Sequence, residues 1–141
     1  MSKELATGYD FIRTYYYNAP LIQKYKPEEY KKQQRFFEAL KKTPLLTVRL
    51  GRLEKRDDTY VEKGVDTLLV VDMLSMAYKS AYDVAILVTA DADFVPAVGE
   101  VKSFGKRVFN AYFSKGISYH LRQACDGFLR IDQRMIEKAK R

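Results

Sequence analysis

Two aspartates follow a short apolar run in the middle of the chain. Asp91 and Asp93 come directly after Val84–Val88, five apolar residues that predict a buried strand of a parallel sheet. Residues 94–101 are typical of a helix start, since a proline such as Pro96 is tolerated in a first turn. Ligands of open α/β sheets bind beyond the carboxyl ends of the strands, so chemistry is expected at these two carboxylates.

A third carboxylate, Asp66, stands at the start of a predicted helix over residues 67–78. A parallel crossover can bring a helix start and a strand end to one edge of a sheet, so Asp66, Asp91 and Asp93 are predicted to share one cation. One histidine and one cysteine are too few for a zinc site, which leaves oxygen ligands and favours Mg²⁺ or Mn²⁺. Such an ion activates water and offsets charge on a phosphodiester. Alternatively, Asp66 is only a cap or first-turn residue of its helix, and Asp93 only caps the helix that starts at Phe94.

Three further side chains are candidates to border the same cleft. Asn18 stands at the carboxyl end of a predicted strand, and Lys63 precedes Asp66, where a solvated lysine is the plainer interpretation. Asp72 lies among valine, methionine and leucine, where an unpaired charge would be costly. It follows Asp66 by six residues, about 240° around a helix, so these two carboxylates do not share a face.

The composition indicates a globular protein with a basic surface. A chain of 141 residues with 47% hydrophobic residues suits one domain over residues 1–141. It has no membrane-length apolar run, its first ten residues do not predict a signal peptide, and its single cysteine favours a reducing cytoplasm. A net charge of +7 favours a nucleic-acid partner, although a positive balance also aids solubility alone.

A basic cluster precedes the turn-like pair Asp57-Asp58. It is predicted to be a loop that binds nucleic acid, and an ordinary exposed hairpin loop is the alternative. The cluster consists of Arg49, Arg52, Lys55 and Arg56.

Strands and helices alternate along the chain, which predicts an α/β domain with a mainly parallel sheet and helices on both faces. The helix over residues 67–78 is apolar on nearly every side and is expected to be largely buried. Gly105 is expected to end the helix after the central strand. The other predicted strands cover residues 10–18, 45–50, 106–113 and 127–131, and the other predicted helices cover residues 27–42, 118–124 and 133–141.

Several segments together resemble the NYN domain of the PIN-like nuclease superfamily, and the LabA-like branch in particular. They are residues 15–20, 33–37, 48–51, 63–66, 71–74, 86–96 and 105–108, within a similarity that spans roughly residues 8–132. The resemblance implies a Rossmann-like PIN fold and a divalent-metal ribonuclease. It also implies that Asp66, Asp91 and Asp93 are acidic metal-site positions, and that Asp72 and Asn18 match further family positions.

The chain departs from that family pattern at its start. The pattern opens with an apolar strand that ends in Asp-Gly-x-Asn, followed by a first helix. In this chain, residues 4–9 already correspond to the end of that helix, so the opening strand has no counterpart in the sequence. In a PIN-like sheet that opening strand lies between two strands that are expected here within residues 11–18 and 84–89. Without it, each of these two strands would expose an unpaired edge, unless they pair directly with each other or with another chain. The favoured expectation is a natural start upstream of Met1, with an extended chain more heat-stable and more active.

The leading prediction is therefore a metal-dependent ribonuclease that acts on RNA. One alternative is an RNA-binding or regulatory module with a degraded active site. Another is a homo-oligomeric interaction protein, such as a homodimer, whose acidic cluster is structural. The positive net charge favours the ribonuclease and the RNA-binding module over the interaction protein.

Overall fold

The computed structural model describes residues 5–6, 8–20, 26–113 and 118–131. The chain divides into two compact units: a first unit, Ile12–Val71, and a second unit that combines Met1–Phe11 with Asp72–Arg141. The predicted helix over residues 133–141 lies outside the described residues. A single domain over residues 1–141 stays a prediction.

In the first unit, two parallel strands are joined through a helix. Strand β1, Thr14–Asn18, pairs with β2, Leu46–Leu50, so that both strands end at the same edge. Helix α1, Pro27–Lys41, begins with a proline and two glutamates, which favour a first turn. Its Phe37 is 1% exposed. The strand–helix–strand order and the parallel pairing agree with the sequence prediction.

A β-hairpin follows β2. Strand β3, Arg52–Arg56, pairs antiparallel with β4, Thr59–Lys63, through the two-residue turn Asp57-Asp58. Asp57 has φ 54°, a left-handed conformation that aspartate tolerates. The interpretation of residues 52–56 as a loop is therefore wrong. The strand was missed because four of its five residues are charged and none is β-branched.

Helix α2, Val65–Tyr78, is less covered than its sequence predicts. Its buried residues are Met73 and Ala77, which lie one turn apart on one stripe. Val71 is 55% exposed and Tyr78 is 76% exposed. The prediction of a largely buried helix is wrong, because the described elements cover only the stripe that carries Met73 and Ala77.

The second unit contains a three-stranded parallel sheet with the order β5-β6-β7. The strands are β5, Val84–Val88, β6, Arg107–Phe113, and β7, Gly127–Ile131. Helix α3, Val95–Ser103, connects β5 to β6 and is followed by Gly105 at φ 81°, which confirms its predicted end. Helix α4, Tyr119–Ala124, precedes β7.

Most of the buried apolar side chains belong to this second unit. Central strand β6 contributes Val108 and Ala111, and the helices contribute Val98, Val101 and Leu121, all 0% exposed. Burial on this scale is the main source of stability for such a sheet. The core therefore supports β5 from the β6 side and fixes the position at which β5 ends.

The fold is mixed α/β with mainly parallel strands, as predicted, but the sheets are small. Within the described residues, β1 pairs with β2 alone and β5 pairs with β6 alone, so each has one unpaired edge. The single larger sheet that the sequence suggests is thus represented by separate parallel sheets. No helix in the described ranges is long and apolar enough to cross a membrane.

Candidate active site

The carboxyl ends of β1 and β2 form one edge of the first unit. The Gly51 N–H donates to the Asn18 carbonyl oxygen at 2.8 Å and continues the pairing beyond β2. The Asn18 side chain is engaged, since its Oδ1 accepts from the Ala19 N–H at 2.8 Å and its Nδ2 donates to the Tyr16 hydroxyl at 3.0 Å. Asn18 therefore lies at a strand end, as predicted, and helps to shape the chain there.

The start of α2 packs directly against this edge. A Cβ atom at Gly51 would lie 2.5 Å from the Lys63 carbonyl oxygen and 2.8 Å from the Val65 backbone nitrogen. Gly64 has φ 85°, which L side chains rarely adopt, and its carbonyl accepts the Leu68 N–H at 2.8 Å. Gly51 and Gly64 together allow the backbone contact that fixes the beginning of α2 next to the end of β2.

A shallow depression of about 140 Å³ lies at the start of α2. Asp66 stands in the first turn, where the helix dipole favours a carboxylate. Among the described residues its carboxylate has no hydrogen-bond or ion-pair partner. The half-buried Lys63 contributes a positive charge to the same depression. The lining residues are Glu62, Lys63, Gly64, Val65, Asp66 and Thr67.

The contact at Gly51 predicts a large effect for a single methyl group. Gly51→Ala is expected to destabilise the protein by about 1–3 kcal/mol, because rigid backbone atoms of Lys63 and Val65 must shift. Gly99→Ala is the matched control, since a Cβ atom there meets nothing within 4 Å and alanine favours a helix interior. Urea unfolding of both variants measures the difference, and a neutral Gly51→Ala would contradict the packing.

At the end of β5, Asp91 organises the turn that follows. Its N–H donates to the Thr89 Oγ1 at 3.2 Å, and its Oδ1 accepts from the Asp93 N–H at 2.9 Å. Asp91 thereby caps a short 3₁₀ turn, Ala92–Phe94, that leads into α3. The capping alternative for Asp93 is wrong, because Asp91 is the cap, whereas the Asp93 side chain is exposed and has no partner among the described residues. Within the described residues, one oxygen of Asp91 and both of Asp93 are therefore not engaged and can bind a ligand.

Sequence reasoning missed Asn110, which holds the end of β5 from the neighbouring strand. Asn110 lies in β6 and is 1% exposed. Its Nδ2 donates to the carbonyl oxygens of Leu87 and Thr89, each at 3.0 Å. Its Oδ1 has no partner in the described part of the chain. An asparagine between the apolar pairs Val108-Phe109 and Ala111-Tyr112 was the available signal, because a buried amide needs partners.

The other candidate residues occupy several different elements. Asp72 is half-buried in α2 and takes part in an interaction. Arg49 lies on β2 opposite Tyr17, whereas Arg52, Lys55 and Arg56 all lie on β3. Side chains alternate along a strand, so Lys55 projects from the opposite face of the hairpin to Arg52 and Arg56. The four basic residues of the predicted cluster therefore do not form one surface.

The free carboxylates suit a hard divalent cation. Among the described residues, no three His, Cys, Asp or Glu side chains group closely enough to hold a metal ion. Mg²⁺ commonly binds through one or two carboxylates and keeps several waters, so the oxygens of Asp91 and Asp93 fit this chemistry. Sharing of one cation by Asp66, Asp91 and Asp93 stays a prediction.

Comparisons with known proteins identify the family and the fold. The family model described as NYN domain matches residues 1–132. An uncharacterised protein of Methanocaldococcus jannaschii is 31% identical over 83 residues, which cover 55% of this chain but only 35% of that protein. A crystal structure of a protein of unknown function from Vibrio parahaemolyticus has TM-score 0.68 at 22% identity, and the match covers 92% of this chain and 75% of that one. The structural likeness shows the fold.

Proposed function

We propose, since this chain belongs to the NYN domain family, that it is a ribonuclease that cleaves RNA phosphodiester bonds with Mg²⁺ or Mn²⁺. The family implies a nuclease-like, RNA-related function in general, and nucleases of this kind typically use divalent metal ions. The metal dependence and the residues that support it are the specific parts of the proposal.

The observation that carries the proposal is the pair of carboxylates after β5. Asp91 and Asp93 follow a strand supported by the core, and the Asp91 carboxylate is held by its cap on the turn that carries Asp93. Asp91 and Asp93 would hold the cation, with Asp91 fixed by its own hydrogen bonds to Thr89 and Asp93. When bound, such an ion lowers the pKa of water and offsets negative charge on a phosphodiester.

The proposal also includes Asp66 and Lys63, which line the depression at the start of α2. Asp66 is free among the described residues and lies in the same depression as Lys63. In the proposal, Asp66 accepts hydrogen bonds from water or a hydrated cation, and the Lys63 ammonium contacts a phosphate oxygen. The close contact at Gly51 keeps the beginning of α2 in place for both side chains.

A cleavage assay tests this function. Labelled single-stranded RNA incubated with the protein and Mn²⁺ or Mg²⁺ is expected to yield shorter products. EDTA should abolish the products and excess metal should restore them, because the proposed chemistry requires the cation. Intact RNA under all these conditions, with an intact fold shown by its cooperative melting, would contradict the enzyme.

A second candidate is an RNA-binding module without catalytic activity. It is favoured by the observation that the described residues contain no group of three metal-ligating side chains. RNA binding that weakens with salt but yields no products with any divalent metal would support this candidate. Formation of a homodimer stays a prediction in either case.

A further inference from the structure

The hairpin of β3 and β4 separates its charges between two faces. In an antiparallel pair, residues directly opposite each other share a face, and residues along a strand alternate. The Arg52–Lys63 and Arg56–Thr59 pairs therefore project to one side, whereas the Lys55–Tyr60 pair projects to the other. The first side is called the cationic face, and it consists of Arg52, Glu54, Arg56, Thr59, Val61 and Lys63.

Three cations of this face surround one carboxylate. Arg52 donates from Nε and Nη2 to the Glu54 Oε1 at 2.9 and 2.8 Å. This hydrogen bond lowers the pKa of Glu54, and the charges of Arg52, Lys63 and Arg56 lower it further. One carboxylate cannot neutralise three cations, so the cationic face keeps an excess of positive charge. On the opposite face, Lys55 is accompanied by Glu62.

The cationic face has more positive charges than its one carboxylate, Glu54, can balance. Arg52 and Lys63 are directly opposite each other, and like charges in such a pair repel. Arg56 is exposed and has no ion-pair partner among the described residues. A chain of phosphates along this face would relieve the repulsion and replace water at the guanidinium groups.

We propose that the cationic face binds the phosphate backbone of single-stranded RNA and leads it toward the depression beside Asp66. Lys63 belongs to both surfaces, since it ends β4 on the cationic face and lines that depression. From Arg52 to Arg56 the strand rises about 14 Å, long enough for contact with more than one nucleotide. This inference rests on the proposed function and assigns the RNA-binding surface to Arg52, Arg56 and Lys63, without Lys55.

Two substitutions at neighbouring positions test the inference, and each removes one positive charge. Arg56→Ala removes a cation from the cationic face, and Lys55→Ala removes one from the opposite face. Both side chains are exposed, and the Arg56 carbonyl that accepts the Thr59 hydroxyl is unaffected. Melting curves verify that the variants fold. Binding is followed by fluorescence anisotropy of a labelled oligouridylate of about 15 nucleotides in EDTA, with salt at roughly 50–200 mM.

Arg56→Ala is expected to weaken binding about 5- to 10-fold at the lowest salt and to reduce the salt slope by about 0.7, the value for one lost phosphate contact. Lys55→Ala is expected to change the affinity less than about twofold. Lys63→Gln should behave like Arg56→Ala. Equal effects of Arg56→Ala and Lys55→Ala, or no effect of either, would overturn the inference.

Binding is measured in EDTA, where metal-dependent cleavage cannot occur, so this inference is tested separately from the proposed function. If the protein binds RNA through the cationic face but cleaves none with metal, the ribonuclease fails and the inference stands. If it cleaves RNA while Arg56→Ala binds as the parent does, the inference fails alone.

Discussion

Asp91→Asn is expected to lower Mn²⁺- or Mg²⁺-dependent RNA cleavage by about 100-fold or more, because a direct metal ligand should matter at least as much as its supporting groups. The asparagine keeps the shape of the side chain and removes its charge. Its Oδ1 can still accept the Asp93 N–H that Asp91 accepts at 2.9 Å, so the turn should persist. Initial cleavage rates at equal metal concentration measure the effect.

The same strand offers a matched control. Asp83 stands just before β5, at the end opposite Asp91, and its side chain is 95% exposed beside Lys106 at 3.5 Å. Asp83→Asn removes the same charge and should leave the cleavage rate unchanged. Both variants should melt within about 2 °C of the parent, because Asp83 is exposed and an asparagine at position 91 keeps the hydrogen bond of the cap. Equal cleavage by Asp91→Asn and the parent would show that Asp91 takes no part in the chemistry.

Asn110→Asp is expected to have the largest effect on stability, about 3–5 kcal/mol. The Nδ2 of Asn110 donates to the Leu87 and Thr89 carbonyls, and a carboxylate would place an oxygen against both acceptors. The site is 1% exposed, so the new charge would also be desolvated. A loss of this size is a large fraction of the stability of an ordinary domain.

The pH dependence of the Asn110→Asp variant has a defined sign. Burial raises the pKa of a carboxyl group above its unfolded value of about 3.9, so the penalty should be smaller at low pH, where the protonated carboxyl donates one hydrogen bond, and grow as the pH rises. Urea unfolding at several pH values measures it. Asn18→Asp is the control, since Asn18 is half-buried and its Oδ1 would keep the Ala19 N–H. Similar, pH-independent losses at both positions would contradict the account of Asn110.

The elements that the sequence predicted best are those with a clear apolar pattern, an unbroken run in β5 and a helical stripe in α1. Val84–Val88 was predicted with its observed bounds, and helix α1 differs from its prediction by one residue. The charged strand β3 was missed, because its strand conformation depends on backbone pairing with β4 and not on a pattern of apolar side chains. The overestimated burial of α2 has a similar cause, since residue hydropathy reveals nothing of which neighbours are available.

The sequence predicted the acidic residues of the candidate site, but it did not predict the residues that hold the surrounding backbone in place. Asp66, Asp91 and Asp93 follow from their places at element ends, and the structure puts Asp66 in a first turn and Asp91 at a cap. Asn110 and Gly51 act through contacts with residues distant in sequence. The sorting of Arg56 and Lys55 to opposite faces depends on the hairpin register, which local sequence specifies weakly when both faces are polar.

Manganese binding tests the central claim, that the carboxylates after β5 hold the divalent cation, without any need for a substrate. Electron paramagnetic resonance of free Mn²⁺ during titration gives the affinity of the parent, Asp91→Asn and Asp83→Asn. The account predicts binding by the parent and Asp83→Asn, and an affinity at least about 10-fold weaker for Asp91→Asn. Equal Mn²⁺ affinity of Asp91→Asn and the parent would contradict it.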